Sequence, residues 1–122
     1  MNGVVNKPKE NPFSELINDE LSSIEFVRDY IQFRFDGPVL TAITDPEILV
    51  NGISHKRESK DFCNLLLECI GQIIVSATIE EGKSIVIMFG NKYSLFISLT
   101  PESYVTAEAA TYRDKVNELW VW

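Results

Sequence analysis

"LTAITDPEILV" (Leu40–Val50) is answered 55 positions later by "LFISLTPESYV" (Leu95–Val105), with Leu40/Leu95, Pro46/Pro101, Glu47/Glu102 and Val50/Val105 matching. Each copy puts Asp45 or Thr100 before a proline and a glutamate after it. Those residue types open a single helical turn: the cap side chain accepts a backbone N–H, proline has none to leave orphaned, and glutamate suits the positive end. Both copies therefore read as a corner by which the chain leaves a strand. A catalytic carboxylate pair would require Glu47 and Glu102 to converge on one cleft, and nothing in the sequence brings them together.

Outward from the first corner, Ile31, Phe33 and Phe35 alternate with Tyr30, Gln32 and Arg34, the period of a strand with one buried face. "SSIEFVR" precedes it across a tight join at Arg28-Asp29, and Asp36-Gly37 supplies a hairpin turn into "VLTAIT". "DPEILVNG" gives a bend, a short strand and a turn at Asn51-Gly52. "SKDFCNLLLECIG" follows with helical periodicity, Phe62, Leu65, Leu66 and Cys69 forming one stripe. Around the second corner the order recurs: "GQIIVSATI", "SIVIMF" and "SLFISL" read as strands separated by "EEGK" and "GNKY". Ile24 lies with Ile73, Phe35 with Phe89 and Leu40 with Leu95, so each half reads helix, three strands, proline corner.

The fold class expected is α+β: a mostly antiparallel sheet of about six to eight strands in two pseudo-repeated halves. One main helix at about 58–70 packs on it, and a short N-terminal helix at about 12–18 starts with Asn11 as cap and Pro12 at the first helical position. Residues 1–11 read as a disordered arm and 12–122 as one domain. In "SIVIMF" the apolar residues do not alternate, so this strand is expected to be central and covered on both faces, by the helix and by another layer or a second subunit. The terminal "WVW", if extended, puts Trp120 and Trp122 on one face, where they either complete the sheet or cover an interface.

Composition sets limits on function. With 122 residues, 45% hydrophobic and 24% charged, the chain has the makeup of an ordinary globular domain large enough to bury a core without metals or disulfides. No apolar run approaches a membrane span and the first residues lack a secretory pattern, so the expected location is cytoplasmic, with no membrane partner. A net charge of −7 is the wrong sign for neutralising phosphates, which argues against nucleic acid. It suits a basic protein partner, because opposite fields steer association.

Chemistry-bearing motifs are scarce. Cys63 and Cys69, six residues apart on the helical segment, point away from each other and read as packing residues. The lone histidine, His55, stands among basic and polar residues in "SHKRES", and a zinc site would need more ligands than the sequence arranges. No G-x-S-x-G elbow, P-loop, GxGxxG, HExxH or CxxC occurs, so no catalytic residue, metal or cofactor is assigned.

"FVRDYIQFRFDGPVLTA", "CIGQIIVSA", "SIVIMFGNKYSLFISL", "AEAATY" and the final "WVW" together resemble a family of small uncharacterised bacterial proteins that share a "DYVQL-FDG" hairpin, an "IG" helix end, a second hairpin, an "EAA" segment and a tryptophan-rich end. The resemblance covers about residues 22–122. It implies a domain outline and a bacterial origin, not a mechanism.

Asp29, Tyr30, Arg34 and Asp36 gather on the first hairpin and Glu108, Tyr112 and Arg113 in "AEAATYRD"; with Trp120 and Trp122 they form the candidate interaction surface. The expected function is a noncatalytic bacterial protein-binding module, its sharper form an immunity-type protein that meets a basic toxin, or a homodimer. The alternative is a small-molecule-binding protein or enzyme with a pocket between helix and sheet.

Overall fold

The structure is a computed structural model that describes residues 11–122. The expected arm, 1–11, lies outside those residues except for Asn11, which belongs to the fold. Its side chain accepts from Phe13 N at 3.0 Å and donates to Ala77 O at 2.9 Å. Asn11 thereby caps a 3₁₀ turn, Pro12–Leu16, shorter than the helix expected at 12–18, which buries Phe13 and Leu16.

Ten strands follow among the described residues, all antiparallel: β1 (Ser23–Val27), β2 (Tyr30–Arg34), β3 (Val39–Ala42), β4 (Glu47–Val50), β5 (Ile53–His55), β6 (Ile74–Glu80), β7 (Ser84–Phe89), β8 (Tyr93–Ser98), β9 (Ala110–Arg113) and β10 (Leu119–Val121). The alternating apolar residues make the strands and the punctuation makes the turns. Asn51 and Gly52, both at positive φ (52° and 82°), give the tight hairpin between β4 and β5.

The expected single sheet is corrected to two five-stranded sheets, ordered β1-β2-β3-β9-β10 and β5-β4-β8-β7-β6. The two corners are the reason. After β3 the chain bends at Ile43–Pro46 and enters the other sheet as β4 beside β8; after β8 it turns through the 3₁₀ segment Pro101–Ser103 and returns as β9 beside β3. Each three-stranded meander is thus completed by a hairpin from the other half of the chain. Only the second corner is helical: the first is a bend, and Glu47 already belongs to β4. Thr100 does not cap the turn's backbone, because its hydroxyl is engaged by Ser98 and Ser103.

One interior serves both sheets. Ile31, Phe33, Leu40, Ala110 and Tyr112 from the first meet Ile48, Ile74, Ile85, Ile87, Leu95 and Ile97 from the second in a single buried cluster. Burying such side chains at about 25 cal/mol per Å² is the main stabilising term. The segment before β1 ties the sheets along one side. Asn18 N donates to Ile74 O and Ile74 N to Asp19 O, both at 2.8 Å, while Ser22 N donates to Arg34 O at 2.8 Å. The edge of β6, which would otherwise present unpaired backbone groups, is bonded in this way at Ile74 and by the Asn11 side chain at Ala77.

The main helix is also corrected. α1 (Phe62–Leu67) is six residues, not the stretch 58–70. Of the stripe the periodicity marks, Phe62 and Leu66 are buried from the helix, Leu65 is partly buried, and Cys69 is buried beyond it, where the backbone after Leu67 tightens into turns. Gly71, at φ 85°, ends them by donating its N–H to Leu21 O at 2.8 Å, a tertiary bond that competes with helix continuation. α1 lies against β4. Strand β7 pairs on both edges as expected, yet it is not covered on both faces: Ile85, Ile87 and Phe89 face the shared core, while Met88 on the other side is 37% exposed. Among the described residues no helix is long and apolar enough to cross a membrane.

Candidate functional site

The turn between β9 and β10 is built by one carboxylate. Asp114 Oδ1 accepts from Val116 N at 3.0 Å and Glu118 N at 2.8 Å, while its Oδ2 accepts from Trp120 Nε1 at 3.0 Å. The indole bond, followed by the two backbone bonds, holds the Asp114 carboxyl below the usual carboxylate range against the opposing effect of burial. Asn117 at φ 69° lets the turn close.

This turn is clamped to the N-terminal segment. Tyr112 lies in the core with its hydroxyl donating to Glu15 Oε2 at 2.6 Å, and Lys115 N donates to the same oxygen at 3.1 Å. Lys115 Nζ pairs with Asp19 Oδ2 at 3.0 Å. Burial, then the Glu15 bond and the negative field of Glu15, Asp114 and Asp19, pushes the Tyr112 hydroxyl up. The Asp19 contact, reinforced by the charges of Asp19, Glu15 and Asp36, raises the Lys115 ammonium. Beside it Asn18, Asp19, Glu20, Ser22 and Asp36 line an open concavity of about 330 Å³. Glu15, Asp19 and Asp36 thus act on the Lys115 ammonium, and Glu20 joins Asp19 and Asp36 in the lining of the concavity.

The residues singled out from the sequence divide among several places. Asp36 lines the acidic concavity. Arg34 and Arg113 point outward from the first sheet on either side of Val39, and with Gln32, Thr41, Thr111 and Leu119 they line a second concavity of about 280 Å³. Arg34 is engaged there by Glu25 at 3.1 Å and Gln32 at 2.9 Å. Asp29 and Tyr30 sit at the opposite end of β2, about 13 Å along the strand from Arg34. Glu108 is exposed just before β9. Tyr112 is fully buried and contributes no outer surface. Both tryptophans pack within the chain. Trp120 is held by Asp114, and Trp122 stacks on Phe13 with centroids 5.4 Å apart while its backbone bonds Ala109 and Ala110.

Glu15, Asp19, Asp114 and Lys115 were not legible as a group. Glu15 and Lys115 are 100 positions apart, and the only local signal was Asp114, the acid that opens the polar turn "DKVNE". Among the described residues no group of three or more histidine, cysteine or carboxylate side chains could hold a metal ion. No family model matches the chain, and neither does any curated protein or solved structure.

Proposed function

We propose that the protein is a noncatalytic binding module for a basic protein partner, and that the acidic end around Asp19, Glu20 and Asp36 is where the partner docks. The observation that carries this reading is the gathering of Asp19, Glu20 and Asp36 about an open concavity, with Glu15 adding its charge at Lys115, on a chain of net charge −7. Such a field raises the encounter rate with a cationic surface and penalises acidic competitors. An immunity-type role against a basic toxin is the sharper form of the same reading. Tagged protein, wild type and with Glu20→Lys and Asp36→Lys combined, is used as bait in extract of the source cell. A stoichiometric basic protein is expected on the wild type and absent from the variant. Equal capture by both baits, or a partner of acidic character, overturns the assignment.

We infer further that the two halves derive from one repeated unit: turn or helix, three-stranded meander, corner, hairpin. What supports this is the order of elements together with the paired corner residues 55 positions apart.

A further inference from the structure

The concavity of about 280 Å³ on the outer face of the first sheet takes its lining from strand register. Arg34, Val39 and Arg113 stand side by side on β2, β3 and β9, and Gln32, Thr41 and Thr111 form the next row along the same strands. Phe33, Leu40 and Tyr112, between the rows, are buried in the core, so alternation turns both rows outward. The two arginines rise two strand spacings apart, roughly 10 Å between Cα atoms, with only the short Val39 side chain between them. Side chains of that length reach over Val39 to a common point.

The groups left free there are mostly donors. Arg34 uses Nη2 alone, toward Glu25 at 3.1 Å and Gln32 at 2.9 Å, and Arg113 uses Nη1, toward Asn117 O at 3.2 Å. The other guanidinium N–H groups have no partner among the described residues, and both side chains are open to solvent, Arg34 at 46%. Thr41 Oγ1 accepts from Gln32 Nε2 at 3.2 Å and keeps its proton, and Thr111 Oγ1 has no partner among the described residues. No carboxylate lines the concavity, although the chain has 18 acidic residues against 11 basic ones. Glu25 reaches Arg34 from β1, on the far side of β2, and an exposed pair of this kind contributes little and yields to a competing anion.

We propose that this concavity binds a phosphoryl group, as free phosphate or as a small phosphate monoester, between Arg34 and Arg113. Guanidinium forks match phosphate oxygens two at a time, and the threonine hydroxyls add neutral donors beside them. Two cations favour a dianion over a monocarboxylate, because the Coulomb attraction grows with the charge of the ligand. Val39 and Leu119 give the lining an apolar part on which the organic group of an ester can lie. The site is open to solvent, so screening holds the affinity at about 1 mM. Neither arginine lines the acidic concavity, and the assignment stands apart from the partner reading.

The test is titration of ¹⁵N-labelled protein with inorganic phosphate, phenyl phosphate and acetate at about pH 7.5, where the phosphoryl group is mostly dianionic. Both phosphates are expected to shift the amides of Val39, Thr41, Thr111 and Arg113 together and saturably, with acetate weaker by about fivefold or more. Equal affinity for the two phosphates assigns free phosphate as the ligand, and a severalfold preference for the phenyl ester assigns a monoester. Arg34→Gln and Arg113→Gln, both at exposed positions, should each weaken binding by about fivefold without changing the fold. Glu25→Gln should tighten it by about threefold by freeing Arg34, a gain that a merely structural role does not produce. The proposal is overturned if neither phosphate moves these amides at tens of millimolar, if acetate binds as well as they do, if either arginine variant binds as the wild type does, or if Glu25→Gln weakens binding.

Discussion

Replacing Trp122 with alanine removes the ring that stacks on Phe13 at 5.4 Å and 29°, and leaves the backbone bonds to Ala109 and Ala110 in place. Trp122 is half-buried against the core, so about 100 Å² of apolar area returns to water on truncation. At about 25 cal/mol per Å² that is about 2.5 kcal/mol. Loss of the aromatic pair adds about 0.5 to 1 kcal/mol, for a total of about 3 kcal/mol. In a chain of this length such a loss lowers the melting temperature by roughly 10 °C. Urea unfolding followed by far-ultraviolet circular dichroism measures it directly, with unchanged slope if the native state stays intact. Trp122→Phe should recover much of the loss. Leu119→Ala, at a side chain 52% exposed two positions before Trp120's far neighbour Val121, should cost no more than about 0.5 kcal/mol. A loss below about 1 kcal/mol for Trp122→Ala would refute the claim that the C-terminus closes the core.

The depressed Asp114 carboxyl gives a signed pH dependence. Its contribution to stability is fully present above the ordinary carboxylate value and is lost as pH falls through its lowered folded value, so the gap in urea midpoint between wild type and Asp114→Asn should stay constant above about pH 5 and narrow as pH falls below it. Lys115 has the opposite sign: its raised ammonium stabilises below its ordinary value, and that share is lost as pH rises through the raised one. The thiols should differ as well. Burial, then Glu68, pushes Cys69 up to about 12, whereas Cys63 is exposed, so a thiol reagent at mild alkaline pH should label Cys63 alone in the native protein and both after denaturation.

Local pattern carried most of the elements. "SIVIMF" is a strand from its first residue to its last, and Asn11 caps the first turn as its position before Pro12 implies. Sheet membership was hidden, because it rests on the pairing of β3 with β9 and of β4 with β8, partners far apart in the chain that no window of sequence contains. The helix was overread at both ends. Periodicity marks which residues are buried, and Cys69 is buried as the stripe requires, but it does not distinguish a helix from successive turns that present the same face. β5 is too short to register as a pattern. The candidate site was legible only in pieces. Asp36 stood out beside its glycine, whereas its neighbours Asp19 and Glu20 come from a linker with no periodic signal. Tyr112 is drawn inward by its place in β9, where alternation buries it opposite Leu40.

The exchange of hairpins between the two meanders is tested most directly by cutting the chain in the exposed loop after β5 and expressing residues 1–58 and 59–122 separately. The first fragment lacks the β9–β10 hairpin that flanks β3, and the second lacks the β4–β5 hairpin that flanks β8. Neither should show a cooperative unfolding transition alone, and an equimolar mixture should form a one-to-one complex with the native strand signal. A cooperative transition in either isolated fragment, or a mixture that stays unfolded, would contradict the account.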